Sequence, residues 1–191
     1  EASFLQTNII SIITQKKGDV LISRLESASE HLKKLQEEEK KLNVAADKLG
    51  STASSSMSSY LSLKLDLLKA QKLVDFLLAW LKSANPRHIL VMFQNPSEIR
   101  PAGGFFGSYA DMQIQGGNIE SFDIRDINDS DKELKLKTIP PKPLQVIVKN
   151  WRAADANWFF DFSESASAVI YAMESSALYA DRKILFDGAV A

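Results

Sequence analysis

The sequence predicts a chain of mixed α+β class in two parts: a long, coiled-coil-like helical hairpin over residues 1–85, then a partial α/β sheet domain over residues 86–191. Three observations carry this. All six prolines, six of the eight glycines and most aromatics follow Asn85, so composition breaks there. Before the break, leucines and alanines recur at an alternating four-three spacing. After it, apolar runs of strand length alternate with helical patterns, the mark of a layered α/β structure.

In the first part, Phe4, Leu5, Ile9, Ile12 and Ile13 predict a short amphipathic helix ending at Gly18, with Asp19 capping the next. Leu21, Leu25, Ala28, Leu32, Leu35, Leu42, Ala46 and Leu49 then form a seam interrupted by Glu39, and Gly50 stops it. Seven serines crowd the twelve residues from Ser51 to Ser62, a linker or the start of a helix, with the approach to the leucine stripe favouring the helix. Leu63, Leu67, Ala70, Val74, Leu77 and Leu81 repeat the spacing, and an antiparallel hairpin is the simplest arrangement. A further stripe of Leu61, Leu65 and Leu68 makes this face broader than a two-stranded seam requires, so more than one neighbour is expected. Such seams also serve a helix-mediated homo-oligomer.

In the second part, His88 to Phe93 is a continuous apolar run, expected as a central strand buried on both faces. Phe105–Gln115 and Ile119–Ile127 flank Gly116-Gly117-Asn118, a hairpin signal. A polar, proline-rich connection from Asn128 to Pro143, a short apolar run from Leu144 to Val148 and an aromatic loop follow. Ser163 or Glu164 opens a helix through Ser176, and Ile184–Ala191 reads as a strand cut short by the chain end, the domain being the N-terminal part of a larger one.

Composition excludes several function classes. With 23 basic and 24 acidic side chains, the net charge of −1 gives no field to hold nucleic acid. Without cysteine there is no thiolate metal site, disulfide or cysteine nucleophile, and the compartment stays open. His31 lies in a charged helical stretch and His88 at the edge of an apolar run, neither placed as a catalytic base. The most hydrophobic segment, Leu73–Leu81, is short and contains Asp75, so it does not span a bilayer. The chain begins Glu-Ala-Ser-Phe, without an initiator methionine or a basic stretch, so any targeting segment has been removed or lies upstream.

Three segments could carry chemistry. In Asn95–Ser108, Arg100 precedes Gly103 and Gly104, whose backbone amides can approach a phosphate or carboxylate. The pattern alone favours a structural reading, with Arg100 paired to Glu98 or an aspartate and the glycines making a tight turn. No Gly-Lys-Ser/Thr follows, so this is no P-loop. Asp123, Arg125, Asp126, Asp129 and Asp131 cluster near a strand end, where carboxylates can hold Mg²⁺ or Ca²⁺. The EF-hand pattern fails there, and a solvated loop is favoured over a cation cage. Trp151–Phe162 packs two tryptophans and three phenylalanines around Arg152, Asp155, Asn157 and Asp161. Most of those rings pin the loop to the core, but polar groups among buried rings need partners. With Trp158, this loop is the best candidate for one wall of a ligand site.

Asn95-Pro-Ser-Glu-Ile-Arg-Pro-Ala-Gly-Gly-Phe-Phe-Gly-Ser-Tyr109, Asp126–Asp129, Ala154–Trp158 with Asp161-Phe162, and Phe186–Val190 resemble, in order and spacing, the bacterial domain-of-unknown-function 4012 family over about residues 86–191. The resemblance implies a membrane-anchored cell-envelope protein whose domain lies outside the cytoplasmic membrane, anchored through a segment not present in this chain. That family is in turn distantly similar to the LytR-CpsA-Psr phosphotransferases, which move glycopolymers from polyprenyl-pyrophosphate carriers to the wall. This second likeness implies Arg100 and Arg125 gripping pyrophosphate and Asp126 supporting Mg²⁺, as catalytic residues. Ala102 stands where those enzymes carry an aspartate. The reading preferred is a non-catalytic binding or structural module, with the phosphotransferase as the alternative.

Overall fold

The computed structural model describes residues 16–48, 54–135 and 137–191. The expected helix at Phe4–Ile13 and the stops at Leu49-Gly50 and Ser51–Ala53 lie outside the described residues. The elements are α1 (Gly18–Lys48), α2 (Ser54–Leu81), β1 (Arg87–Asn95), β2 (Phe105–Gln115), β3 (Asn118–Asp126), α3 (Ile127–Lys132), α4 (Phe162–Glu174), α5 (Ala177–Ala180) and β4 (Gly188–Val190). Short 3-10 turns cover Lys142–Val146 and Ala153–Asp155. The class is mixed α+β, as the sequence predicts. Two compact units result: Glu1–Ala84 with Gln115–Asn118, and Asn85–Ile114 with Ile119–Ala191.

In the first unit, α1 and α2 run antiparallel. Leu21 and Leu25 pack against Val74, Leu77, Leu78 and Leu81, Ser29 Oγ donates to Asp75 at 3.1 Å, and Gln36 Nε2 reaches the Leu67 carbonyl at 3.4 Å. Tyr60 donates to Glu39, and Lys82 pairs with Glu26. The expected seam is thereby rotated. Ser29, Gln36 and Glu39 face α2, while Leu35 and Leu42 are 53% and 69% exposed. Leu63 is likewise outside, displaced by Tyr60 and Gln71. Gln71 Nε2 donates to Ser29 Oγ and Asp75 Oδ1, both at 2.8 Å, so polar side chains take the line of contact and fix how the helices slide against each other. Leu61, Leu65 and Leu68 are exposed to solvent.

Gly18 is the first residue of α1. Its N–H donates to Asn118 Oδ1 at 2.7 Å, satisfying an orphan donor of the helix start. A Cβ at Gly18 would lie 2.2 Å from the Gly116 carbonyl oxygen, so close backbone approach is what requires glycine there. Asp19 occupies the first turn.

In the second unit the sheet order is β3-β2-β1-β4. β1 is central, as expected, antiparallel to β2 and parallel to β4, with a bulge at Phe93/Gln94. Gly116 and Gly117, at φ 55° and 76°, make the hairpin turn, both in the left-handed region that such a turn demands. One face of β1 packs inward through Leu90 and Met92, while Ile89 and Val91 are half-buried and Phe93 is exposed. The strand is therefore buried on one face, not on both. That face meets α4 and the segment after it through Val169, Met173, Tyr179 and Phe186, together with Phe106, Tyr109 and Ile127.

α4 starts one residue before the expected Ser163, because Asp161 accepts from the N–H groups of Ser163 (2.7 Å) and Glu164 (3.2 Å), a side-chain cap. The Leu144–Val148 run begins inside the 3-10 turn Lys142–Val146, with Val146 and Ile147 in solvent. The Asn128–Pro143 connection begins as α3, capped by Asp126.

At the centre of this core, Tyr179 donates to Tyr109 across 3.1 Å. Burial pushes both phenols above their ordinary value of 10.0, and for Tyr179 the Tyr109 hydroxyl adds to the rise. The folded state thus holds these protons more tightly than the unfolded chain does. That stability is complete below pH 10.0 and is lost as pH rises through the folded values. Denaturant melts of the wild type should show stability declining above pH ~10. Tyr179→Phe should reduce that slope and cost about 1 kcal/mol at pH 7.

Candidate functional site

The residues at the open end of the second unit's sheet are placed by two polar devices. Asp126 ends β3 and caps α3, its Oδ1 accepting from Asn128 N and Nδ2, each at 2.8 Å. One turn on, the Asp131 carboxylate accepts from the N–H groups of Ala153 (2.8 Å) and Ala154 (3.4 Å), which fastens the aromatic loop to α3. Burial raises the Asp131 pKa above its usual 3.8, against the pull of those two N–H groups and of Arg152. Arg152 in turn donates through Nε (3.3 Å) and Nη2 (3.1 Å) to buried Asp155, and Trp151 Nε1 donates to the Asp155 carbonyl at 3.0 Å.

These contacts leave an open cleft of about 500 Å³ lined by Asp126, Asn128, Asp131, Lys132 and Arg152. Its wall carries two carboxylates, two cations and an amide. It can offer donors and acceptors to one ligand, but it has no net positive charge.

The second device is Asn157, 1% exposed, whose Nδ2 donates to the Gly104 carbonyl at 2.8 Å. The aromatic loop is thereby joined to the β1–β2 loop, and two of the sequence candidates are brought together. Asn157 Oδ1 and the neighbouring Gln94 Nε2 are buried without partners among the described residues. Gln94 lies against Gly103. Gly103 adopts φ 119°, and a Cβ on Gly104 would fall 2.4 Å from the Asn95 carbonyl oxygen. Both glycines are thus required by the turn itself, the structural role weighed for them.

Arg100 stacks over Phe105, 5.2 Å from the ring centroid, and donates to its neighbour's carbonyl, Ile99 O, at 3.0 Å. Glu98 accepts from Asn95. Arg125 lies 3.7 Å from Asp123. Neither Arg100 nor Arg125 lines the cleft that holds Asp126. Trp158 is half-buried in the aromatic loop, whose Trp151 and Phe159 rings meet edge-on at 6.0 Å.

The acidic cluster is divided: Asp126 and Asp131 share the cleft, while Asp123 and Asp129 are not in its lining. Asp126 caps a helix, Asp129 is 3.5 Å from Lys132, and Asp131 is bound to backbone. Among the described residues no group of three His, Cys, Asp or Glu side chains assembles that could hold a metal ion. His88 Nδ1 lies 2.8 Å from Asp111 Oδ1, with Phe186 edge-on to the ring, an imidazole satisfied within the packed face. A second opening, of about 410 Å³ between α4 and Phe186–Ala189, has Asp187 as its charged group. That carboxylate is already engaged by Arg87 and the His88 N–H.

Asn128 and Lys132 were not among the sequence candidates. Reading Asp126 as a helix cap would have found them, since Asn128 and Lys132 are four residues apart on the helix it starts and so share a face.

Asn157→Asp should be severely destabilising, by about 3 kcal/mol or more, because it sets a carboxylate against the Gly104 oxygen in a buried site. Asn157→Ala should cost about 1–3 kcal/mol. Chemical denaturation of the two variants checks both values.

Known proteins add one finding. Residues 84–190 match the model of the family "Protein of unknown function (DUF4012)". No curated protein and no solved structure matches the chain. The match spans more than half of the sequence, and the chain belongs to the DUF4012 family.

Proposed function

We propose that the protein is a non-catalytic binding module of the bacterial cell envelope. It is held on the outer side of the cytoplasmic membrane by a segment outside these residues, and its cleft takes a hydroxyl-rich glycopolymer. Among the described residues no helix is long and apolar enough to cross a membrane. The envelope location rests on the family resemblance.

The observation that carries the ligand class is the balanced lining of the cleft. Asp126 and Asp131 face the same space as Lys132 and Arg152, with the Asn128 amide between them. A diphosphate entering there would meet two carboxylates, whereas sugar hydroxyls use donors and acceptors of both signs. The arginines that a phosphotransferase-like site would aim at pyrophosphate are engaged elsewhere, one on Phe105 and one beside Asp123. Ala102 also leaves that chemistry one carboxylate short.

Calorimetric titration of the 191-residue chain with soluble wall-polysaccharide fragments should show saturable binding. Lys132→Ala, at a largely exposed side chain, should weaken it about tenfold without changing the thermal melt. Farnesyl pyrophosphate with Mg²⁺ should bind weakly or not at all. Tight pyrophosphate binding abolished by Arg100→Ala and Arg125→Ala would overturn the reading in favour of the transferase.

A further inference from the structure

Between Glu133 and Asp155 the chain carries no carboxylate and five cations, Lys135, Lys137, Lys142, Lys149 and Arg152, against 18 basic and 24 acidic side chains elsewhere. Two of the five are engaged, Lys135 with Asp181 at 2.7 Å and Arg152 with Asp155 at 3.1 Å. Lys137, Lys142 and Lys149 are exposed and make no ion pair among the described residues. The same stretch is greasy on its outside. Of the five most exposed large apolar side chains among the described residues, three lie in it: Val146 (89%), Ile147 (79%) and Ile139 (78%).

Hydrogen bonds close this stretch into a seated loop. The Trp151 N–H donates to the Thr138 carbonyl at 2.7 Å and ties its ends together, and Gln145 Nε2 donates across it to the Pro140 carbonyl at 2.8 Å. Pro140 and Leu144 are buried and hold it down. The Leu144 carbonyl accepts from the N–H groups of Ile147 and Val148, both at 2.9 Å, so the turn that buries Leu144 carries Val146 and Ile147 outward. Lys142 opens that turn, and Lys149 lies two residues beyond Ile147. Loops closed in this way and bearing exposed apolar side chains mark interaction sites.

We infer that the loop from Thr138 to Trp151 docks on an anionic lipid surface. Ile139, Val146 and Ile147 enter the boundary between headgroups and acyl chains, while Lys137, Lys142 and Lys149 reach the lipid phosphates on their flexible stems. Two observations select this occupant. The first is charge: three exposed ammonium groups without carboxylate partners, in a chain that is acidic elsewhere, complement a negative surface. The second is shape. The apolar side chains project from a turn and line no groove, so a fluid bilayer can close around them, whereas a folded partner would need a separate hole for each. A soluble polyanion would pair with the lysines and leave Val146 and Ile147 in water. The inference is independent of the glycopolymer reading, because none of these six residues lines the cleft.

Co-sedimentation of the 191-residue chain with vesicles of two parts phosphatidylcholine to one part phosphatidylglycerol tests it. The chain should partition onto these vesicles and not onto phosphatidylcholine alone. Val146→Ser with Ile147→Ser should lower the partition constant about tenfold. Lys142→Ala with Lys149→Ala should lower it about fivefold for each ammonium lost. Lys33→Ala with Lys34→Ala, exposed on α1, should change it less than twofold. All six positions are exposed, so thermal melts should match the wild type. Absence of partitioning onto the anionic vesicles would overturn the inference, as would an equal loss from the Lys33→Ala, Lys34→Ala pair. Partitioning that the two serine substitutions leave intact and that soluble polyphosphate displaces would overturn it in favour of a polyanion site.

Discussion

The carboxylate of Asp131 is the contact on which the open end of the sheet domain depends. It is a short-helix side chain, drawn out of water, that satisfies two consecutive backbone N–H groups of a loop rich in aromatic rings. An irregular segment crossing a core must pair its backbone groups or lose several kcal/mol, and Asp131 does so for Ala153 and Ala154. With that anchor in place, Asp155 is buried and can orient Arg152, and Trp151 closes over the Asp155 carbonyl. Asn157 then reaches the Gly104 carbonyl. The charged groups of the cleft are thus spaced by structural bonds made behind them.

That arrangement bears on what the cleft can do. In the cleft, Asp126 accepts through one oxygen from Asn128, Asp131 accepts from two loop N–H groups, and cations and carboxylates are equal in number. Arg152, held on buried Asp155 through Nε and Nη2, keeps little side-chain freedom, whereas Lys132 stays largely exposed.

Much of the fold is legible in the sequence because it rests on local signals. The Gly-Gly hairpin, the central strand, the helix after Asp161 and the two long helices each follow from turn chemistry or periodicity. What escaped is set by partners distant in sequence. Gly18 is explained by Gly116, and the shifted helical seam by hydrogen bonds from Ser29 and Gln71 to Asp75. A leucine count cannot anticipate a polar contact line, since apolar periodicity reports which face is greasy and not which face meets the neighbour. At the site, the aromatic loop and Asp126 were visible as candidates, and Gly104 and Asn157 do meet. Lys132 and Asn128 were hidden by reading the start of α3 as a connection. Arg100 and Arg125, drawn from the more distant likeness, lie apart from the cleft in contacts with Phe105 and Asp123.

The most direct test of the central claim is amide chemical-shift mapping of the isotope-labelled chain during titration with wall-polysaccharide fragments. The account predicts the largest shifts at Asn128, Lys132 and Arg152, spreading to Ala153 and Ala154 through the Asp131 anchor. Shifts centred instead on Arg100 and Arg125, or none at the cleft residues at saturation, would contradict it.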